Sequence, residues 1–310
     1  MNPREKRYFL PSMKSYKEEK LMKILFITLL ILTLNSQAYS HWKFNDHDTI
    51  ETSYQFKQQS DDNTLYVHKI NGFVEIEGYD GDSIQVNIDK TLYAKSEENL
   101  QLAKKETWFK VVNENDEMHM FMKTPYSELE RKDGELHFSE NNNKQKYQYR
   151  MNYKIKVPRN TNLSILAVND GHIAINDIQP KLIHAKNING KIQLDKVSGE
   201  MEIMTVNGDV TLTYLNKNIE NGRFKSVNGS FDIYFVEQPD IEIAYKTLNG
   251  HLYTAFDPSD MSSFVQQKYK NKKQGIKYKV KKKKMIRIGN GTHKFYFKTI
   301  NGDINIAKKV

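Results

Sequence analysis

Nine histidines, a scatter of aspartates and one dense lysine tract are the side chains of this chain whose types could do chemistry. Histidine suggests metal ligation first, and His172, His184, His251 and His293 are the candidates. They fall on separate predicted strands, without H-x-H or H-E-x-x-H spacing and without a cysteine partner, so they read as exposed strand histidines beside turns. Asn-Gly-Asp at 207–209 and 301–303 is part of what a calcium-binding repeat needs, but the full G-G-x-G-x-D nonapeptide is absent. Asp195, Asp209 and Asp232 could line one face, as clustered carboxylates do in polysaccharide-cleaving enzymes. Each, however, holds a turn or solvent-facing position where aspartate is ordinary. No G-x-S-x-G elbow presents a serine nucleophile. The chain reads as non-enzymatic, with no catalytic residue, cofactor or metal ligand to assign.

The lysine tract has a clearer chemical meaning. Eleven basic residues and no acid lie between Lys268 and Arg287. Ten are lysines: Lys268, Lys270, Lys272, Lys273, Lys277, Lys279, Lys281, Lys282, Lys283 and Lys284. Dense lysine without a matching number of arginines attracts as point charges rather than gripping phosphate in bidentate fashion. Anionic glycan, a lipid surface or another envelope protein are the partners this favours; nucleic acid is not expected for an exported chain. The competing reading is a solvated hairpin around Gln274-Gly275 that discourages edge pairing.

Export is the reading of the front of the chain. Lys23 precedes the apolar run Ile24–Leu34, and Ala38-Tyr39-Ser40 supplies a small-residue cleavage site. Residues 22–40 thus read as a signal peptide, the run being shorter than the roughly 20 apolar residues a membrane span needs. A retained N-terminal membrane anchor is the alternative. Residues 1–21 read as a non-native or disordered extension, and residues 41–60 as a polar leader. The mature part, in the periplasm or on the cell surface, holds 40 basic against 35 acidic residues, so its basic excess is the lysine tract alone. With no cysteine in the chain, stability rests on sheet hydrogen bonds and a packed core.

The elements that must position these groups announce themselves by repetition. Ile188-Asn189-Gly190, Val206-Asn207-Gly208, Val227-Asn228-Gly229, Leu248-Asn249-Gly250 and Ile300-Asn301-Gly302 recur, with an early copy at Ile70-Asn71-Gly72. The first four in the main array start 18, 21 and 21 residues apart, and each is followed by a short apolar/polar alternation. Asn-Gly usually closes a two-residue hairpin. Here the flanking residues would share a face, yet they are apolar before and polar after, as in Val206/Asp209 and Leu248/His251. Stacked corners explain this better than a hairpin meander, with the apolar residue before each Asn buried in its corner. The predicted fold is therefore all-β: a β-solenoid, right-handed and parallel β-helix-like, spanning 61–310. Asn71, Asn189, Asn207, Asn228, Asn249 and Asn301 would stack at about 4.8 Å as a corner ladder of amide hydrogen bonds. Ile192, Leu194, Val210, Leu212, Phe231, Ile233, Leu252, Ile304 and Ile306 would point inward.

Two stretches break the rhythm. Within an excursion at 90–158, Ser96 caps a short helix ending near Lys105, residues 109–112 and 118–122 form a hairpin, and 124–146 is expected as a loop. A lysine-rich insertion occupies 258–289.

The series Ile70-Asn-Gly-Phe-Val-Glu-Ile-Glu-Gly-Tyr-Asp-Gly-Asp, Tyr153-Lys-Ile-Lys-Val-Pro and the Val-Asn-Gly copies from 168 to 250 resembles the bacterial adhesin-like family DUF4097, related to the DUF2807 head GIN domain. The resemblance covers roughly residues 60–310 and implies an exported β-helix-like domain. The expected function is a non-enzymatic envelope protein, adhesin-like, giving a binding or scaffolding surface. The alternatives are a sensory or envelope-stress protein that binds another envelope protein, and a polysaccharide-active β-helix enzyme.

Overall fold

The computed structural model describes residues 42–132, 135–141, 146–169, 171–262, 265–271, 275–281 and 284–309. The expected extension at 1–21 and signal peptide at 22–40 lie outside them, as do Lys272, Lys273, Lys282 and Lys283. No described helix is long and apolar enough to cross a membrane.

Strands dominate the described chain. β1 (Phe44–Tyr54), β2 (Thr64–Asn71), β3 (Val74–Tyr79) and β4 (Ile84–Ala94) precede the helix α1 (Glu97–Glu106). β5 (Trp108–Glu114) and β6 (Glu117–Lys123) form a hairpin, as do β7 (Ser127–Lys132) and β8 (Glu135–Glu140). Then follow β9 (Tyr147–Pro158), β10 (Asn162–Asn169), β11 (Ile173–Ile178), β12 (Leu182–Asn189) and the long β13 (Ile192–Asn207) and β14 (Val210–Lys225). The last are β15 (Phe231–Phe235), β16 (Ile241–Lys246), β17 (Leu252–Thr254), β18 (Asp260–Ser262), β19 (Val265–Asn271), β20 (Gly275–Lys281), β21 (Lys284–Ile288), β22 (His293–Lys298) and β23 (Ile304–Lys308).

Parallel pairing sorts most of them into two stacks. The first runs β6, β2, β10, β12, the second halves of β13 and β14, β22, then β16. The second runs β9, β3, β11, the first halves of β13 and β14, β15, β23, then β17. From β9 to β17 the chain alternates between stacks, so each pair of strands is one coil. The Asn-Gly dipeptides of this array sit where the chain passes from first stack to second, and none closes a hairpin. The all-β expectation holds.

Alternation along each strand builds the core. Ile192, Leu194, Val210, Leu212, Phe231, Ile233, Ile304 and Ile306 are buried, while Leu252, on the last strand of the second stack, is only partly covered. Later coils carry larger residues: Phe224 stacks on Phe297 at 4.7 Å and Tyr214 on Phe235 at 5.0 Å. Burying one such side chain contributes about 1.5–3 kcal/mol, which is how a cysteine-free chain can hold together.

The coils are not stacked in chain order. The last one, β22–β23, lies between β14–β15 and β16–β17. The first, β2–β3, lies between β6 and β9 on one side and β10–β11 on the other. Antiparallel strands extend the outermost coils: β5 on β6, β4 then β1 on β9, and β21 then β18 on β16. Helix α1 packs against β4, β9 and β1 through buried Leu100 and Ala103. Its N-cap is Ser96, whose Oγ accepts from the Asn99 N–H at 3.2 Å.

Three expectations need correction. The polar leader at 41–60 contains β1, paired with β4 over eleven residues. Its acids meet lysines rather than an apolar stripe, Asp46 with Lys104 at 2.6 Å and Asp48 with Lys90 at 3.1 Å, so hydropathy concealed it. The loop expected at 124–146 contains the β7–β8 hairpin. Finally, Val206 and Val227 are buried at their corners as expected, but Ile188 and Ile300 are only half-buried, and Leu248 is 76% exposed, its corner leading into β17, the last strand of its stack.

Candidate binding surface

The asparagine column is the most regular arrangement of polar groups. Nδ2 of Asn189 donates to Oδ1 of Asn169 at 3.3 Å, Asn207 to Asn189 at 2.9 Å and Asn228 to Asn207 at 2.9 Å. Asn301 then donates to Asn228 at 2.7 Å, and Asn249 to Asn301 at 2.8 Å. All five bonds run in one direction. Asn71 is the register partner of Asn169, one coil further along. The glycine after each Asn has its own reason. Gly208 adopts φ 154°, and a Cβ there would lie 2.1 Å from the carbonyl oxygen of Gly190. The neighbouring coil approaches too closely for any side chain. These residues hold the scaffold together and present no reactive group.

Beside that corner, the outer face of the second stack offers an actual concavity. Residues of β1, β4, β9, β3, β11 and β13 line one open trough of about 920 Å³. On β3, Val74 and Ile76 enter the core while Glu75 and Glu77 face outward. Register extends this alternation into two rows crossing the strands. One row is Asn87, Lys154, Glu75, Ala174 and Gln193; the other is Gln85, Lys156, Glu77, Asn176 and Asp195. Ala174, the smallest side chain, leaves the first row lowest between Glu75 and Gln193.

Most acids of this face have partners. Glu77 meets Lys156 at 3.6 Å, Glu75 meets His172 at 3.2 Å and Asp177 meets Arg159 at 2.6 Å. Glu51 accepts from Asn87 Nδ2 at 2.9 Å. Burial pushes the Asp195 carboxyl up, but a 3.0 Å bond from Lys309, with help from Thr213 and Lys196, outweighs it and holds the group below its ordinary value. A general acid needs the opposite shift. Further along the face, Asp232 accepts from Asn305 at 2.7 Å. Asp209 is not on this face at all: it accepts from the Ser230 N–H at the corner. The three aspartates considered for catalysis are thus apart from one another and engaged.

The four histidines weighed as metal ligands, His172, His184, His251 and His293, are likewise dispersed. His251 lies 3.8 Å from Asp303 and His293 3.9 Å from Glu220, both as single pairs, while burial lowers the pKa of His184. Among the described residues, no three metal-ligating side chains converge.

Of the lysine tract, Lys268 and Lys270 lie on β19, Lys277, Lys279 and Lys281 on β20, and Lys284 opens β21. The β19–β20 register places no lysine opposite another: Lys277 faces Tyr269, Lys279 faces Gln267 and Lys281 faces Val265.

Sequence reasoning missed the trough. Its signal lies in the alternating Val74-Glu-Ile-Glu and Tyr153-Lys-Ile-Lys-Val, a pattern that specifies strands but not which strands are neighbours.

No family model matches the chain, so the resemblance to DUF4097 rests on the motifs quoted above. No curated protein matches either. Among solved structures, a "putative cell adhesion protein" from Clostridium sporogenes aligns at 13% identity, covering 86% of this chain and 100% of that one, with a TM-score of 0.40. A "putative adhesin" from Bacteroides fragilis aligns at 15% identity over 84% of this chain and 97% of that one, TM-score 0.35. Another from Parabacteroides merdae gives 12% identity, 86% and 97% coverage, and a TM-score of 0.24.

Proposed function

We propose that this is an exported, non-enzymatic cell-envelope protein, adhesin-like, that holds an extended polar ligand in the trough of the second stack. The trough itself carries the reading: two rows of side chains, all but Ala174 able to hydrogen-bond, on five adjacent strands and fixed by the sheet beneath them. Its paired acids and lysines leave many donors and acceptors but little net charge, which suits a glycan strand better than a polyanion. Ligand sites built on strands keep their geometry better than sites on loops.

Glycan arrays probed with the chain lacking residues 1–40 test this. Binding should appear on envelope or host glycans, and Ala174→Arg, which fills the floor of the trough, should weaken it at least tenfold while the far-ultraviolet spectrum stays unchanged. Undiminished binding by that variant would place the site elsewhere.

A protein ligand is the second reading, favoured by β17. Among the described residues it is paired along one edge only, and it carries Tyr253, 54% exposed, next to the exposed Leu248 corner. Co-purification of one envelope protein, lost in Leu248→Lys/Tyr253→Lys, would favour this reading over the first.

A further inference from the structure

On the outer face of the first stack, at the opposite end from β17, two histidines far apart in sequence touch. His68 Nε2 on β2 lies 2.8 Å from His119 Nδ1 on β6. His119 Nε2 lies 3.3 Å from Glu117 Oε2, and Tyr66 OH donates to Glu117 Oε1 at 3.2 Å. Tyr66 stacks on His119 at 4.3 Å. The hairpin β7–β8 covers this bed: Phe138 stacks on His68 at 5.0 Å and packs against Phe121 at 5.1 Å. Only 1% of the His119 side chain reaches solvent.

Polar ties hold the hairpin at both ends. Arg131 of β7 donates to Glu114 of β5 at 2.8 Å, and Tyr149 of β9 donates to Glu140 of β8 at 2.8 Å. At its base, Lys123 Nζ donates to the Ser127 carbonyl, and a crevice of about 370 Å³ separates Pro125, Tyr126 and Ser127 from Ser139 and Glu140.

One proton arrangement satisfies the chain of groups. His68 donates through Nε2 to His119 Nδ1, and His119 donates through Nε2 to Glu117, with each ring neutral. With both rings protonated no tautomer remains to accept, and two N–H donors would stand face to face at the observed 2.8 Å. We infer that hairpin β7–β8 is a proton-released flap, closed over neutral His68 and His119 and opened when both protonate.

The surroundings agree with this sign. Burial, and then the charge of His119, push His68 down to about 3. Burial also lowers His119, and Arg131 adds to this, while Glu117 and Glu114 oppose it without prevailing. From β2, Tyr66 faces the pair. β8 presents Phe138, with His137 exposed beside it. On β10, the register partner of Tyr66 is the uncharged Ser164. In the open state both rings meet water and titrate near 6.5. Closure is therefore fully favoured above about 6.5 and is lost as pH falls from there towards the folded values. Opening should rise about tenfold per pH unit for each histidine that gains a proton. It would uncover Tyr66, Phe121 and Phe138 as an aromatic surface.

Hydrogen exchange of the chain lacking residues 1–40, corrected for intrinsic rates and compared at pH 7.5 and 5.0, reads this directly. Residues 127–132 and 135–140 should lose at least tenfold in protection at pH 5.0 while residues 192–197 keep theirs. His68→Phe/His119→Gln should remove the pH dependence. Arg131→Gln should raise opening at both pH values while the rise towards pH 5.0 persists. Unchanged protection at pH 5.0, equal loss at 192–197, or a pH dependence that survives the double substitution would each overturn the proposal.

Discussion

Asn301 donates its side-chain amide to Asn228 across 2.7 Å, although 73 residues separate them. On its other side Asn301 accepts from Asn249, a residue earlier in the chain. The last coil is therefore a keystone, slid between two coils made before it.

Asn228 both donates to Asn207 and accepts from Asn301, so Asn228→Ala removes two hydrogen bonds from the middle of the column. At about 0.5–1.5 kcal/mol for each bond, a loss of roughly 1–3 kcal/mol is expected. Urea denaturation should show a lower midpoint with an unchanged slope.

Gly208→Ala should cost more than removal of an asparagine. It places a methyl group 2.1 Å from the Gly190 carbonyl oxygen and forces φ 154° on a residue with a side chain. Strain of about 1–3 kcal/mol attaches to such a conformation before any clash is counted. Thermal melts of the two variants side by side give the ranking.

The turn between β21 and β22 is gripped by Asp240. Its carboxylate accepts from Thr292 Oγ1 at 2.8 Å and from the Gly291 N–H at 2.7 Å. The Thr292 hydrogen bond, and then the backbone N–H groups, hold its pKa below the ordinary 3.8 despite some desolvation. Because the folded value is depressed, the stabilisation is complete above about 3.8 and fades as pH falls through the folded value. The melting-temperature gap between wild type and Asp240→Asn should therefore be constant from pH 7 to 5 and shrink on further acidification.

Deleting 268–284 should abolish any salt-sensitive binding to vesicles containing anionic lipid and leave glycan binding in the trough intact. Vesicle sedimentation at about 0.05 and 0.5 M salt separates this attraction from contacts that salt does not screen. Retained vesicle binding after the deletion would remove the tract from consideration.

Much of this architecture could be read from the residues. Asn207-Gly208 and its copies specify corners because few residue pairs suit both an amide column and backbone contact. Ser96 with Glu97 and Glu98 marked α1 by capping chemistry alone. Coil order was not legible. Nothing near Asn228 distinguishes Asn249 from Asn301 as its neighbour, since the copies are chemically alike. β1 was hidden because Asp46 and Asp48 are matched by lysines from distant elements, and β7–β8 because its apolar content is confined to Leu129, Leu136 and Phe138. The trough and the His68–His119 contact depend on which strands lie side by side, a property of topology that no local pattern records.

The inserted coil bears on how the polypeptide acquires its structure as it emerges end first. Coils through β15 can settle one upon another in order of synthesis. β16 and β17 cannot, for the strands that should lie beneath them, β22 and β23, are still to come. Cut shortly before residue 293, the chain lacks the coil that joins β16–β17 to β14–β15, and the open ladder invites any stray strand. Closure of the two stacks therefore waits on residues 293–308, made after every strand they must join.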